Sequence, residues 1–218
     1  QVETNAFWYD MLCFAIEMES KYGRKTSGFV EKWSPVRDMV AENYQKMFWM
    51  PDKGYLADYV DNNGQNTDVR PNQLFALAVH HQPVDDTVLG SMMNVVDREL
   101  VTSRGIRTLS PRDLKYRGVY EGTQRERDLA YHQGCAWPAL LLPYARIKFR
   151  MDGAAFCKRA EWLMEGFYDD LNKHGVGMFS ELYDGDPPHE PHGAISSAMS
   201  TAALLYVENL INKYKEER

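Results

Sequence analysis

Residues 179–196 read FSELYDGDPPHEPHGAIS and lie between two stretches with helical periodicity. The preceding helix is indicated by apolar residues three or four positions apart, namely Phe156, Ala160, Leu163, Phe167 and Leu171. The loop is braced by glycine and proline and is rich in carboxylates, aromatic rings and histidines. A loop of this length inside a compact chain is often functional. It can hold a carboxylate such as Glu181 at a fixed place, as acid–base chemistry requires.

Helical periodicity recurs along the whole chain, interrupted by long loops at 48–71, 101–136 and 174–195. About seven helices in hairpin-like succession, with elaborated loops at alternate connections, predict an all-α fold of the α/α toroid type. In such a fold the long loops share one rim and form a pocket there. In the first helix, Phe7, Met11 and Phe14 share one face, together with Ala15 and Met18.

The loops differ in their own patterns. Alternating Tyr55, Ala57 and Tyr59, followed by the Asn63-Gly64 turn pair, predict a small β-hairpin near 49–69. Helical pattern returns at about 72–81. Residues 101–136 lack steady periodicity and predict a long ordered loop.

Length and composition limit the possible classes of protein. With 218 residues and 44% hydrophobic content, the chain predicts a single domain over residues 1–218. A net charge of −6 with no basic stripe argues against nucleic acid as a partner. No apolar run reaches membrane-spanning length, so no membrane partner is expected. Three scattered cysteines argue against a disulfide framework and favour a reducing, cytoplasmic setting.

The RPNQ segment at 70–73 combines a helix start with polar side chains. One interpretation is helix capping with a surface salt bridge between Asp68 and Arg70. The functional interpretation is that Arg70, Asn72 and Gln73 bind sugar hydroxyls, for which the planar fork of arginine offers several donors in fixed geometry.

A second polar segment, RDLAYHQG at 127–134, precedes Trp137. It predicts a sugar subsite formed by Tyr131, His132 and Gln133, with Trp137 as a platform. The alternative is that His132 is an interior histidine whose hydrogen bonds are satisfied. The loop at 105–122 has two interpretations. It is a rim loop that contributes Tyr116, Tyr120 or Glu121 to the site, or it packs over a helix end.

Metal and nucleotide motifs are weak here. His189 and His192 have a suggestive spacing, but Pro191 bars the continuous helix that a zinc-protease motif needs. Residues 61–64 begin like a calcium loop, but Asn72 stands where its terminal glutamate should fall. No phosphate-cradling glycine motif and no Ser or Cys nucleophile signature is present. We therefore predict no metal and no cofactor.

Several short motifs, in a fixed order, make the chain similar to a known family. They are VETNAFWY at 2–9, GYLAD at 54–58, RPNQ at 70–73, GIRTLSP at 105–111, RDLAYHQG at 127–134, WP at 137–138 and SELYDGD at 180–186. The chain resembles the C-terminal amylo-α-1,6-glucosidase domain of glycogen debranching enzymes. The resemblance implies a six-hairpin glycosidase fold, of which this chain is the C-terminal part of an (α/α)6 toroid.

The resemblance also implies an inverting hydrolysis of α-1,6-linked glucose, with glycogen or a branched α-glucan as substrate. Glu181 matches the family's general base. The family's general acid lies in a segment just upstream of the motif at 2–9, so it is expected before Gln1. The WMPD segment at 49–52 is superficially similar but lies in the wrong place.

The chain begins with Gln1 rather than Met, so it looks like a piece of something longer. We expect the upstream half of the same polypeptide to be its partner, and the isolated chain to be inactive. Two alternatives stay open: another (α/α)6 α-glucosidase of glucoamylase type, and a non-catalytic glycan-binding helical module.

Overall fold

The computed structural model describes residues 1–24 and 26–216. The chain forms two compact units, one of Gln1–Asp68 with Asn72–Val95 and one of Val69–Pro71 with Val96–Arg218. The single domain over residues 1–218 stays a prediction.

The elements up to residue 99 are mainly helical. In chain order they are α1 (Val2–Tyr22), α2 (Phe29–Phe48), β1 (Trp49–Met50), β2 (Tyr55–Leu56), β3 (Val60–Asp61), β4 (Gly64–Gln65), a 3₁₀ turn (Pro71–Leu74), α3 (Phe75–Ala78), a second 3₁₀ turn (Asp86–Val88) and α4 (Leu89–Glu99).

The remaining elements alternate short strands with helices. They are β5 (Val101–Thr102), β6 (Gly105–Arg107), α5 (Gln124–Tyr131), β7 (Ala136–Trp137), α6 (Leu141–Asp152), α7 (Cys157–Tyr168), β8 (Leu182–Tyr183), β9 (Pro191–His192) and α8 (Ala198–Glu216), with 3₁₀ turns at Pro138–Leu140, Gly153–Phe156 and Asp169–Asn172.

The helix α1 forms as predicted, but its predicted apolar face is not the buried one. Phe7, Met11 and Phe14 are exposed, Phe14 by 56%. The helix packs instead through another row of side chains, which comprises Val2, Ala6, Leu12 and Ile16. The Tyr44 hydroxyl in α2 donates to the Val2 carbonyl oxygen at 2.7 Å, which ties the two helices together.

The predicted hairpin near 49–69 is present as two smaller ones. Strand β1 pairs antiparallel with β2, and β3 pairs antiparallel with β4. Gly64 closes the second hairpin with a φ of 106°, a conformation that favours glycine. The helix predicted at 72–81 is shorter, because Val79 is already extended and ends α3 at Ala78.

The long loop predicted at 101–136 is wrong in detail, since it contains β5, β6, α5 and the start of β7. Strands of two or three residues are too short to show an alternating pattern. The helix α5 is polar, so it lacks an apolar stripe. Its signal is a capping box, in which Thr123 and Glu126 bind each other's backbone N–H groups.

The apolar stripe predicted from Phe156 onward is confirmed as core in α7, and α6 buries apolar residues of its own. Tyr144 and Ile147 are buried in α6, and Ala160, Leu163 and Phe167 are buried in α7. These helices pack against α8.

Asp152 makes no side-chain cap for the 3₁₀ turn after it. It lies at the end of α6, and its carboxylate pairs with Lys148 one turn earlier at 2.9 Å.

In the residues that the structure describes, no helix is both long and apolar enough to cross a lipid bilayer.

Candidate active site

A five-stranded antiparallel sheet, in the order β5-β6-β7-β8-β9, collects the loops of the second unit. Ile106 pairs with Trp137, Ala136 with Tyr183, and Leu182 with His192. The sheet thereby joins segments that are far apart in the sequence. Trp137 lies on β7, and Glu181 immediately precedes β8.

Both carboxylate oxygens of Glu181 accept hydrogen bonds. The Tyr131 hydroxyl donates to Oε1 at 2.6 Å, and the Ala194 backbone N–H donates to Oε2 at 2.9 Å. The Glu181 N–H also donates to the Ala194 carbonyl oxygen at 3.0 Å. The carboxylate is thus held by Tyr131 of α5 and by the backbone of Ala194, two residues after β9. Glu181 stays only partly buried.

Gly193 is packed directly against this carboxylate. It has a φ of 72°, and a Cβ at this position would lie 2.5 Å from Glu181 Oε2. Any side chain there would be strained and would also displace the carboxylate. Gly193 therefore lets the backbone that follows β9 approach Glu181 closely enough for the Ala194 N–H to reach the carboxylate.

Tyr131 is the last residue of α5 and packs on the small core of Ala130, Cys135 and Leu182. Burial, and then the hydrogen bond to Glu181, raise the pKa of the Tyr131 hydroxyl above its usual range. The phenol therefore keeps its proton at neutral pH and remains a donor to Glu181.

Trp137 and His132 form a stacked pair beside Tyr131. The ring centroids of His132 and Trp137 lie 5.8 Å apart with the planes at 15°, and Trp137 meets Tyr131 edge-on at 4.8 Å. The Trp137 indole N–H donates to the Tyr131 carbonyl oxygen at 3.2 Å. His132 is exposed, so it is not an interior histidine. Although the residue is exposed as a whole, its ring is partly desolvated where it stacks on Trp137; this desolvation, and then the charge of Arg70, lower the pKa of His132.

Arg70 and Gln133 hold the backbone next to this aromatic pair. The Arg70 guanidinium donates to the carbonyl oxygens of His132 at 2.8 Å and Thr108 at 3.2 Å, and to the Gln133 side-chain oxygen at 2.8 Å. These bonds fix the backbone turn that follows α5.

The predicted residues of the segment 70–73 fall in both compact units. Asn72 and Gln73 belong to the first unit, whereas Arg70 belongs to the second. The Asn72 side chain donates to Asp58 Oδ1 at 2.9 Å. Gln73 is 1% exposed, and its side-chain oxygen accepts from the Leu56 N–H at 3.3 Å. Both side chains fix the segment around β2.

Three further residues belong to this cluster: the sequence leaves Tyr120 open, allows Asp184 as either a sugar contact or a loop brace, and offers His192 only through a metal motif. The Tyr120 ring lies 6.3 Å from Tyr131 and 5.3 Å from His192. Asp184 Oδ1 accepts from the Tyr120 N–H at 2.7 Å and lies 3.0 Å from His192 Nε2. The spacing of His189 and His192 draws attention to this loop, but as a pattern it is typical of a metal site and not of the contacts seen here.

Other carboxylates of the neighbouring segments are already engaged. Asp186 Oδ1 accepts from the Tyr116 hydroxyl at 2.8 Å, and Asp128 Oδ1 accepts from Gln124 at 2.7 Å. Among the described side chains, no three of His, Cys, Asp or Glu converge to hold a metal ion.

The chain is similar in fold to a solved glycosidase. It superposes on neutral trehalase Nth1 from Saccharomyces cerevisiae with a TM-score of 0.69 and 13% sequence identity, which covers 98% of this chain and 38% of that one. The fold is therefore of the (α/α)6 glycosidase class, mostly helical with a small sheet.

Sequence comparison points to a family. The chain is 24% identical over 224 residues to the glycogen debranching enzyme of Saccharomyces cerevisiae, and the match covers 84% of this chain but only 15% of that protein. The profile of the amylo-alpha-1,6-glucosidase family matches residues 1–206. Because this match takes in nearly the whole chain, the chain belongs to the amylo-alpha-1,6-glucosidase family.

Proposed function

We propose that this chain provides the general base of an inverting glycoside hydrolase that removes α-1,6-linked glucose from glycogen or a similar branched glucan. Glu181 is the base. The observation that carries the proposal is the carboxylate of Glu181, held at both oxygens by the Tyr131 hydroxyl and the Ala194 N–H beside a row of aromatic rings.

The geometry suits base catalysis of water attack. Each carboxylate oxygen has a second lone pair, so either one can accept a proton from water while keeping its existing bond. In an inverting reaction, the base takes a proton from water as the water attacks the anomeric carbon. A carboxylic acid on the opposite face protonates the leaving oxygen. The two carboxyl groups stand about 6.5–9.5 Å apart so that the water fits between them.

The sugar-contacting surface is the aromatic group formed by the exposed His132 and the partly buried Tyr131 and Trp137. Flat rings with polar edges match the faces and hydroxyls of a glucose ring. Arg70 and Gln133 position this surface through the bonds described above. Contact of Asn72 and Gln73 with the substrate stays a prediction. In the structure the Asn72 amide donates to Asp58, and the Gln73 side-chain oxygen accepts from the Leu56 N–H.

The general acid comes from outside these residues in this proposal. Asp184, Asp186 and Asp128 are engaged as loop braces, which makes each of them a poor proton donor to a leaving oxygen. We therefore expect the isolated chain to release no glucose from a branched limit dextrin. Release that depends on Glu181 would show that the acid lies within the chain.

We also propose a cytoplasmic setting. Cys13, Cys135 and Cys157 are all free thiols, and burial raises the pKa of Cys135 to about 12. Free thiols are typical of a reducing compartment. Fractionation of cells that express a tagged form would test this.

The decisive experiment is Glu181→Gln in the enzyme that unites this chain with its acid-bearing segment. Turnover should fall by at least about 10²–10⁴, because the catalytic base is lost, while glucan binding persists. Glu190→Gln is the matched control, since Glu190 is an exposed glutamate of the same loop. Near-normal turnover in a folded Glu181→Gln variant would overturn the role and favour a glycan-binding module.

A further inference from the structure

His192 and Asp184 form a polar pair next to Glu181 that the proposed reaction does not use. Asp184 is 5% exposed, and it borders Cys135, whose pKa its charge helps to raise after burial. A buried carboxylate is costly unless it is paired. Here the pairing comes from the Tyr120 N–H at 2.7 Å and from His192 Nε2 at 3.0 Å.

The two nitrogens of His192 have different surroundings. Nε2 is buried against Asp184, although the contact is not aligned as a hydrogen bond. The side chain is nevertheless 27% exposed, so the accessible part is the other edge of the ring. Within residues 1–24 and 26–216, Nδ1 makes no hydrogen bond, and it is not among the buried unsatisfied atoms. Nδ1 is therefore open to a ligand.

The nearby carboxylate favours one tautomer of the neutral ring, because its Oδ1 lies 3.0 Å from Nε2. An ionised Asp184 accepts hydrogen bonds and cannot donate them, so the neutral imidazole places its N–H at Nε2. Nδ1 is then left with a free lone pair. A histidine in this state accepts a hydrogen bond from a hydroxyl group.

His192 is connected to Glu181 through a row of aromatic rings. His192 pairs across the sheet with Leu182, the residue after Glu181. Its ring continues the row of Trp137, Tyr131 and Tyr120, with centroid distances of 4.8, 6.3 and 5.3 Å along the row. The Glu181 carboxylate is bonded to the middle of that row, at Tyr131.

We infer that His192 is a specificity-determining sugar contact, whose Nδ1 accepts a hydrogen bond from a glucose hydroxyl, and that Asp184 is the positioning residue that orients it. The inference rests on the proposed function for its ligand class, a glucose-containing oligosaccharide. It adds a contact to the site that selects for the hydroxyl pattern of the sugar beside Glu181. A pocket of this kind rejects an analogue that lacks the matching hydroxyl, because the polar group is then left unpaired.

The test uses the 218-residue chain and isomaltose, with affinity measured by calorimetric or NMR titration. His192→Phe keeps a ring but removes both nitrogens, and it should weaken binding about three- to tenfold, the range of one hydrogen bond. His192→Asn keeps an acceptor near the place of Nδ1 and should recover much of that loss. His80→Phe is the matched control, since His80 is an exposed histidine of the other unit.

Monodeoxy analogues of isomaltose identify the partner hydroxyl. One analogue should bind the wild-type chain more weakly than isomaltose does, yet bind His192→Phe as well as isomaltose does. Unchanged affinity of a folded His192→Phe variant, or additive losses for every analogue, would overturn the inference.

A measurement on the unmodified chain guards against a variant that fails to fold. Nitrogen-15 NMR of the His192 ring should show the proton on Nε2, and isomaltose should shift the Nδ1 resonance. A proton on Nδ1, or no shift with saturating isomaltose, contradicts the inference. These binding results are separate from Glu181→Gln turnover, so a failure of the hydrolytic proposal and a failure of the His192 contact can be told apart.

Discussion

Two polar motifs of this chain look alike in sequence and differ in what their side chains do. In the first unit, Asn72 and Gln73 point their amides at Asp58 and the Leu56 N–H. In the second unit, the exposed His132 stacks on the partly buried Trp137, and the Tyr131 hydroxyl donates to the Glu181 carboxylate. Polar composition at a helix boundary therefore does not separate a side chain that binds a neighbouring backbone or side-chain group from one that stays accessible. The partner atom of each side chain makes that distinction.

The comparison is tested most strongly at Tyr131. Tyr131→Phe removes the hydroxyl that holds Glu181 Oε1, so turnover of the acid-bearing enzyme should fall about ten- to a hundredfold, since a hydrogen bond to a charged group contributes about 1.5–3 kcal/mol. Tyr116→Phe is the control, because its hydroxyl makes a similar bond to Asp186 without touching Glu181. Equal losses in both variants would mean that Tyr131 only stabilises the fold.

The first unit offers the opposite test. Gln73→Leu leaves the buried Leu56 N–H without this acceptor, so the free energy of unfolding should fall by about 1–3 kcal/mol. If Gln73 only stabilises the loop, affinity for isomaltose stays the same. Gln124→Leu, at an exposed position of α5, should change stability by less than about 0.5 kcal/mol. A loss of affinity at full stability would return Gln73 to the list of sugar contacts.

Trp137→Ala sharpens the comparison within the second unit. Removing this ring should weaken isomaltose binding by about 1 kcal/mol, roughly fivefold, because an aromatic face is lost. Trp162→Ala is matched to it, since Trp162 is also partly exposed in the second unit but lies under Arg159 at 4.1 Å. If the two variants bind alike, Trp137 is packing rather than a platform.

The smallest effect concerns the protonation of His132. Burial, and then Arg70, lower its pKa in the folded chain, whereas an unfolded histidine titrates near about 6.5. Its contribution to stability is therefore complete above that pH and is lost as the pH falls below it. NMR titration should give a midpoint below the unfolded value, and Arg70→Met should move it upward. A midpoint at or above the unfolded value would contradict the assigned environment.

The helices were predictable wherever burial imposed a pattern on the sequence. Ala160, Leu163 and Phe167 are three or four positions apart and are all buried. The sheet was not predictable, because its strands are too short to alternate. The contact between Tyr131 and Glu181 joins residues 50 positions apart, and no local pattern encodes such a distance. The face of α1 was misassigned because Phe7, Met11 and Phe14 are apolar yet exposed.

The short-strand sheet has a consequence for engineering by loop exchange. Its strands have only two or three residues each and come from two regions of the chain, 101–137 and 182–192, which the β7–β8 pair joins. Inserting or deleting one residue in any of them would shift its register and turn its side chains to the opposite face. Loop grafts from other enzymes of this architecture should therefore be made as a matched set, with the segments around β6, β7, β8 and β9 exchanged together.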